Sequence, residues 1–206
     1  MYMHMSGKAI AAGLLAMMMT ATMAEALPAT SSAGAFAAIG GSSSGDASKI
    51  TFGDSVATPL GYYQMCVSHQ SLCRLHSGRL SATADGSVKV TGGTMRQLES
   101  VNASVNAAIR PALRNDWTPG QTVGDCKAFA MTKRQRLINM GWPSSAVPVA
   151  IVRTSSGVQH LVVVARTDQG DFVLDSLNHS IVPWTSAAYS WEKILSTTNA
   201  LAWRTM

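Results

Sequence analysis

The spacing of apolar residues predicts two amphipathic helices in the middle of the chain. In "TMRQLESVNASVNAAIRPAL", residues 94–113, apolar side chains recur at three- and four-residue steps, and Pro111 marks the end of the helix. In "VGDCKAFAMTKRQRLINMGWP", residues 123–143, Asp125 is a candidate N-cap and Gly141 is a stop signal. Cys126 therefore lies in the first turn of the second helix.

After the second helix, the pattern becomes that of β-strands. Residues 146–154, 160–167 and 171–177 are rich in β-branched side chains. The sequence "TDQGD" between the last two segments is typical of a tight turn, with Gly170 available for a positive φ. Helices followed by a hairpin predict an α+β fold, with helices packed on an antiparallel sheet.

The N-terminal part of the chain has the composition of an export signal. Lys8 precedes an apolar run over Ala9–Met19, and the small residues "AEA" that follow fit a signal-peptidase site. We predict a cleavable signal peptide at residues 1–26, with an uncleaved membrane anchor as the alternative. Residues 27–50 are rich in Ser, Gly and Ala and predict a flexible leader. We expect residues 51–206 to form one domain of a periplasmic or secreted protein.

The basic residues of the chain do not form a nucleic-acid surface. The net charge is +5, and the densest basic cluster, "KRQR" at residues 133–136, lies within the second predicted helix. We interpret this cluster as a solvated helix face, because aromatic side chains do not alternate with the basic ones as in single-strand binding proteins. No nucleic-acid partner is expected.

Cys126 raises the question of which groups could activate its thiol. Cysteine attacks as the thiolate, which a helix N-terminus and a neighbouring imidazolium both favour. His160 opens a predicted strand, and a turn centred between Asp168 and Gln169 places Asp175 diagonally across from it on the same face. Taken alone, each of these residues is more often structural. Together, they suggest a nucleophile, a base and an orienting carboxylate.

At these residues the chain resembles the bacterial transglutaminase-like cysteine peptidases. The family pattern has Gly-Asp-Cys at a helix start, a Lys-Arg-like pair one or two turns on, and a His-led strand with a hairpin to Leu-Asp. The chain offers "GDCKAFAMTKRQRLINMG" and "HLVVVARTDQGDFVLD", and the resemblance spans residues 62–203. It implies a papain-like or transglutaminase-like core in which Cys126 is the nucleophile, His160 the base and acid, and Asp175 the orienting group.

The resemblance implies an exported cysteine peptidase that cleaves a peptide bond in a protein substrate through a thioester. The substrate would be a cell-surface or exported protein, as for adhesin-cleaving members of the family, and a regulatory membrane protein would be a further partner. One alternative is transglutaminase-type acyl transfer, which product analysis with a primary amine would reveal. Another is a non-catalytic binding module, which titration with an irreversible thiol reagent would distinguish from an enzyme.

The chain departs from the family pattern beside the nucleophile. Lys127 and Ala128 stand where family members commonly carry acidic residues, and Ser176 replaces the usual asparagine after Asp175. In adhesin-cleaving members the acidic cluster is linked to calcium, which prefers six to eight oxygen ligands. Asp125 alone remains as a candidate calcium ligand, so we expect no cofactor, with calcium as the alternative.

The other two cysteines lie close together, in "MCVSHQSLCRLH". Cys66 and Cys73 alternate with His69 and His76 in a pattern that resembles a metal site, although zinc modules usually separate their ligand pairs by about twelve residues. A disulfide is the simpler pairing in an oxidising compartment, with free thiols or a metal site as alternatives. The family resemblance, with a cysteine pair in this region, also favours the disulfide.

Overall fold

A seven-stranded antiparallel sheet forms the centre of residues 49–206, which are the residues that the computed structural model describes. The predicted signal peptide and nearly all of the predicted leader lie outside this range. In pairing order the strands are β1 (Ser55–Val56), β9 (Trp203–Thr205), β8 (Ser190–Leu195), β4 (Val149–Arg153), β5 (Gln159–Thr167), β6 (Gly170–Leu174) and β7 (Val182–Pro183).

Three helices pack on one face of this sheet. They are α1 (Leu60–Ser68), α2 (Gly92–Ala108) and α3 (Cys126–Asn139), with short 3-10 turns at residues 70–73, 144–146 and 184–186. Their buried side chains form one continuous core with Val149, Leu161 and Val163 of the sheet. The arrangement confirms the predicted α+β class. Within residues 49–206, no helix has the length and apolar character needed to cross a membrane.

The opposite face of the sheet is also covered. Val162, Val164 and Val173 form a second core there with Ile50, and partly buried aromatic side chains pack against it. The Ile50 N–H donates to Asp171 Oδ2 at 2.9 Å, so the end of the segment predicted as leader is fixed to the sheet. Because both faces of the sheet are buried, its central strands are nearly continuous apolar runs instead of alternating ones.

The β5–β6 hairpin has the register expected from its turn. Val163 pairs with Leu174 and Thr167 with Gly170, which adopts a φ of 105° in the turn. However, β6 ends at Leu174, three residues earlier than predicted. The strand ends there because the Asp175 N–H donates to the side chain of Asn102 on α2 at 3.1 Å instead of to a neighbouring strand.

The start of α3 is fixed by its flanking residues. Asp125 is the N-cap, and its Oδ1 accepts the Lys127 N–H at 3.0 Å. Two further strands, β2 (Arg110–Pro111) and β3 (Val123–Gly124), pair in parallel and tie the end of α2 to this point. Gly124 is required, because a Cβ atom there would lie 2.4 Å from the Cβ of Ala128. These contacts hold Cys126 in the first turn, as predicted.

The interpretation of "KRQR" as a solvated face is wrong for its first two residues. Lys133 is fully buried and Arg134 is 2% exposed, whereas Arg136 is exposed. The reason is the position of α3, which packs against both α2 and β5 and therefore has little free surface over its middle turns.

Cys66 and Cys73 form a disulfide that joins α1 to the 3-10 turn after it, with their Cα atoms 5.5 Å apart. This separation is typical of disulfides. The bond confirms the predicted pairing and argues against the metal site, because both sulfurs are used. Cys126 is the free cysteine of residues 49–206.

We expect the disulfide to stabilise the domain by restricting the unfolded chain. Closing a loop of this length contributes about 2–3 kcal/mol, so replacing both Cys66 and Cys73 by Ser should lower the melting temperature by about 5–10 °C. Cys126→Ala is the matched control and should change it little. Non-reducing peptide mapping that found Cys126 in a disulfide would contradict the assignment.

Candidate active site

His160 and Asp175 form a buried hydrogen-bonded pair. His160 Nε2 lies 2.6 Å from Asp175 Oδ1, and the two side chains are 6% and 4% exposed. The pair arises from the hairpin register, which brings the first turn after β6 alongside the start of β5. The structure therefore brings together the two residues that the sequence places 15 positions apart.

The pair favours the charged form of both partners. Burial alone would lower the pKa of His160, but its interactions with Asp175 and Cys126 outweigh burial and raise this pKa to about 9. Burial alone would raise the pKa of Asp175, but His160, the Leu177 N–H and Tyr189 together hold it below its usual range. At neutral pH the site therefore contains an imidazolium and a carboxylate.

Cys126 faces the other side of the imidazole. Because Nε2 is engaged by Asp175, Nδ1 is the ring nitrogen left to interact with the Cys126 thiol. The Cys126 side chain is partly exposed and opens into a small cavity of about 60 Å³. The other residues that line this cavity are Trp117, Lys127, Ile151, Gln159, His160 and Leu161.

Trp117 forms one wall of this cavity. Its ring packs edge-on against Tyr62 of α1 and Trp203 of β9, with centroid distances of 5.7 and 6.4 Å. Trp117 is 7% exposed, so most of its surface belongs to the core and a small part faces Cys126. The packed aromatic cluster thereby fixes the shape of the cavity.

Tyr189 completes the surroundings of the carboxylate and was not identified from the sequence. Its hydroxyl donates to Asp175 Oδ2, the oxygen that His160 does not use. Its ring lies beside the imidazole, with the centroids 5.9 Å apart. Burial and the Asp175 charge both raise the pKa of Tyr189, so the hydroxyl remains a donor throughout the neutral range. No local sequence motif around Tyr189 indicates this role, because it lies in an irregular segment before β8.

Two asparagines of α2 hold the backbone around Asp175. Asn102 Nδ2 donates to the carbonyl oxygens of Asn178 and His179 at 3.0 and 2.9 Å. Asn106 Nδ2 donates to the carbonyl oxygen of Asp175 at 2.9 Å. These amides stand one helical turn apart on the same face of α2. They anchor the segment after β6 although Ser176 replaces the asparagine of the family pattern.

A scan of known protein families matches residues 52–206, nearly the whole described chain, to the bacterial transglutaminase-like cysteine proteinases. The chain belongs to this family. The match confirms the resemblance carried by the Gly-Asp-Cys helix start and the His-led hairpin, and it makes the protein a transglutaminase-like cysteine peptidase by family. No protein with a curated description matches the chain.

Among solved structures, the chain is similar to LapG of Legionella pneumophila. One LapG structure has 21% identity and a TM-score of 0.43, with 48% of this chain and 63% of that chain covered. The calcium-bound form has 21% identity and a TM-score of 0.48, covering 56% and 71%. The EGTA-treated form has 20% identity and a TM-score of 0.44, covering 52% and 64%.

The residues next to the nucleophile do not fit a calcium ion. Asp125 uses Oδ1 to cap the helix and Oδ2 to bind Lys127 Nζ at 2.6 Å. Ala128 is fully buried and packs against Gly124, which leaves no room for a longer acidic side chain. In the described part of the chain, no cluster of three or more His, Cys, Asp or Glu residues could hold a metal ion.

Proposed function

We propose that the protein is an exported cysteine peptidase that hydrolyses a peptide bond through Cys126, His160 and Asp175. The observation that carries the proposal is the position of His160, which is hydrogen-bonded to Asp175 and lines one small cavity together with the Cys126 thiol. A buried imidazolium beside a thiol at a helix N-terminus is the arrangement that makes cysteine a nucleophile near neutral pH.

In the first half of the reaction, the Cys126 thiolate attacks the carbonyl carbon of the scissile bond and forms a tetrahedral intermediate. The N–H of Cys126 is free for the developing oxyanion, because N–H groups in the first turn of a helix have no partner within the helix. His160 then donates its Nδ1 proton to the leaving amine. The C–N bond breaks and leaves the acyl group as a thioester on Cys126.

In the second half, His160 is neutral and accepts a proton from water at Nδ1. The resulting hydroxide attacks the thioester, and the tetrahedral intermediate collapses with the Cys126 thiolate as the leaving group. Asp175 remains a carboxylate throughout and keeps the imidazole oriented through Nε2. The Tyr189 hydroxyl donates to Asp175 Oδ2, the carboxylate oxygen that His160 does not use. The cycle therefore returns the thiolate and imidazolium that began it.

We propose a cell-surface or exported protein as the substrate, with a regulatory membrane protein as a further partner. The Cys66–Cys73 disulfide supports an oxidising compartment, since such bonds rarely persist in the cytosol. The composition of residues 1–26 supports export by a signal peptide. Residues 51–206 would then be the mature catalytic domain.

The reactivity of Cys126 tests the proposed triad without knowledge of the substrate. An ordinary thiol, with a pKa of about 8.5, reacts slowly at pH 6. We expect iodoacetamide to label Cys126 rapidly near pH 6 in the wild type. His160→Ala should move the rate profile to the pH range of a free thiol, and Asp175→Ala should move it part of the way.

Cys126→Ala is the control for labelling at other positions and should take up no reagent. Wild-type labelling with the profile of a free thiol, unchanged by His160→Ala, would mean that Cys126 is a core residue and that the enzyme proposal fails. Where labelling is rapid, a comparison of exported proteins from cells with wild type and with Cys126→Ala identifies the substrate.

We also propose that the protein works without calcium. The Lys127 ammonium already neutralises the Asp125 carboxylate at a distance of 2.6 Å. A calcium ion would therefore have to displace this ammonium, and it would gain a single carboxylate ligand by doing so. We expect EGTA to leave the melting temperature and the Cys126 labelling rate nearly unchanged. A large loss on adding EGTA, restored by calcium, would contradict the proposal.

A further inference from the structure

A lysine lies buried beneath the proposed triad. Lys133 is on α3, seven residues after Cys126, and therefore on the same face of the helix two turns further on. Its side chain is fully buried, and its Nζ donates to Asn102 Oδ1 at 2.8 Å. It forms no direct ion pair with a carboxylate in the described part of the chain.

The same oxygen of Asn102 connects Lys133 to Asp175, the orienting residue of the proposed triad. Asn102 Oδ1 accepts the Asp175 N–H at 3.1 Å as well as the lysine ammonium. Asn102 is fully buried, so water does not compete for this oxygen. A chain of hydrogen bonds thus runs from Lys133 through Asn102 to the backbone of Asp175, and from the Asp175 side chain to His160.

Burying this ammonium has an energetic cost. Desolvation lowers the pKa of Lys133 to about 7, although the charge of Asp175 acts in the opposite direction. On the sheet side the titratable groups joined to this chain of bonds are Asp175 and His160, with the Tyr189 hydroxyl bonded to Asp175, while α2 contributes the uncharged Asn102. Arg134, the next residue on α3, interacts with Tyr62 instead. A methionine would fill the same space without the desolvation cost, so packing alone does not account for a lysine here.

We infer that Lys133 is a positioning residue for the triad, whose ammonium fixes Asn102 and through it holds the Asp175 backbone where the Asp175 carboxylate meets His160. This inference rests on the proposed peptidase function. Lys133 does not touch Cys126 or a substrate. It acts through Asp175, and its contribution is greatest when its ammonium is charged.

Two neutral variants test this role. Lys133→Met removes the charge and the hydrogen bond, and Lys133→Gln removes the charge but keeps an N–H donor. We expect Lys133→Met to slow iodoacetamide labelling of Cys126 at pH 6 by about tenfold, within the range for groups in one hydrogen-bond network. Lys133→Gln should have a smaller effect in the same direction. The difference from wild type should shrink above pH 7, where Lys133 itself loses its proton.

A structural role would give a different result. Arg136→Met, at an exposed basic position of the same helix, is the matched control and should label like the wild type. In an Asp175→Asn background, Lys133→Met should have no further effect, because its route to His160 is already removed. Thermal unfolding of each variant establishes that it is folded at the pH of labelling.

The outcomes separate the two proposals. If wild-type Cys126 labels no faster than a free thiol at pH 6, the peptidase proposal fails and this inference fails with it. If the wild type labels rapidly and folded Lys133→Met or Lys133→Gln matches it at every pH, only the role of Lys133 is overturned. An equal loss in the wild-type and Asp175→Asn backgrounds would also overturn it, because Lys133 would then act by another route.

Discussion

The buried hydrogen bond between His160 and Asp175 is the interaction on which the site depends. An imidazolium and a carboxylate out of contact with water are stable only when each has a partner and the remaining hydrogen-bonding positions are filled. Here the imidazolium lies between Cys126 and Asp175, and the carboxylate receives further bonds from the Leu177 N–H and Tyr189. The resulting increase in the pKa of His160 from 6.5 to about 9 corresponds to about 3 kcal/mol in favour of the cation.

The fold provides this pair by fixing three segments relative to one another. The β5–β6 register brings Asp175 alongside His160. Asn102 of α2 accepts the Asp175 N–H, and so β6 ends just before Asp175. The Asp125 cap and the close contact at Gly124 fix the start of α3, where Cys126 lies. A one-residue change in the hairpin register would move Asp175 to the other face of the sheet, so the register is as important to the site as the residues themselves.

The parts of the site that could be predicted from the sequence are those encoded locally. The N-cap Asp125 and the turn at Gly170 indicate where Cys126 begins its helix and which residues pair across the hairpin. By contrast, Tyr189 and Asn102 contact Asp175 across sequence separations of 14 and 73 residues, and nothing in their neighbouring sequence indicates it. The burial of Lys133 was missed for a related reason, since a basic cluster on a helix suggests solvent until the neighbouring helix and strand are known. The strands β8 and β9 and helix α1 lack a strong hydrophobic period, so the sequence pattern does not predict them.

The titration of His160 itself tests most directly whether Asp175 holds the imidazole in its charged form. Nitrogen-15 NMR of the imidazole, with the His160 signals assigned by their absence in His160→Gln, reports the protonation of both ring nitrogens as a function of pH. We expect His160 to titrate with a pKa of about 9 in the wild type, and with a pKa at or below the ordinary value of about 6.5 in Asp175→Asn, where burial is no longer offset by a carboxylate. A wild-type His160 that titrates at or below 6.5, and is unaffected by Asp175→Asn, would contradict the central claim that this pair holds the imidazolium in place.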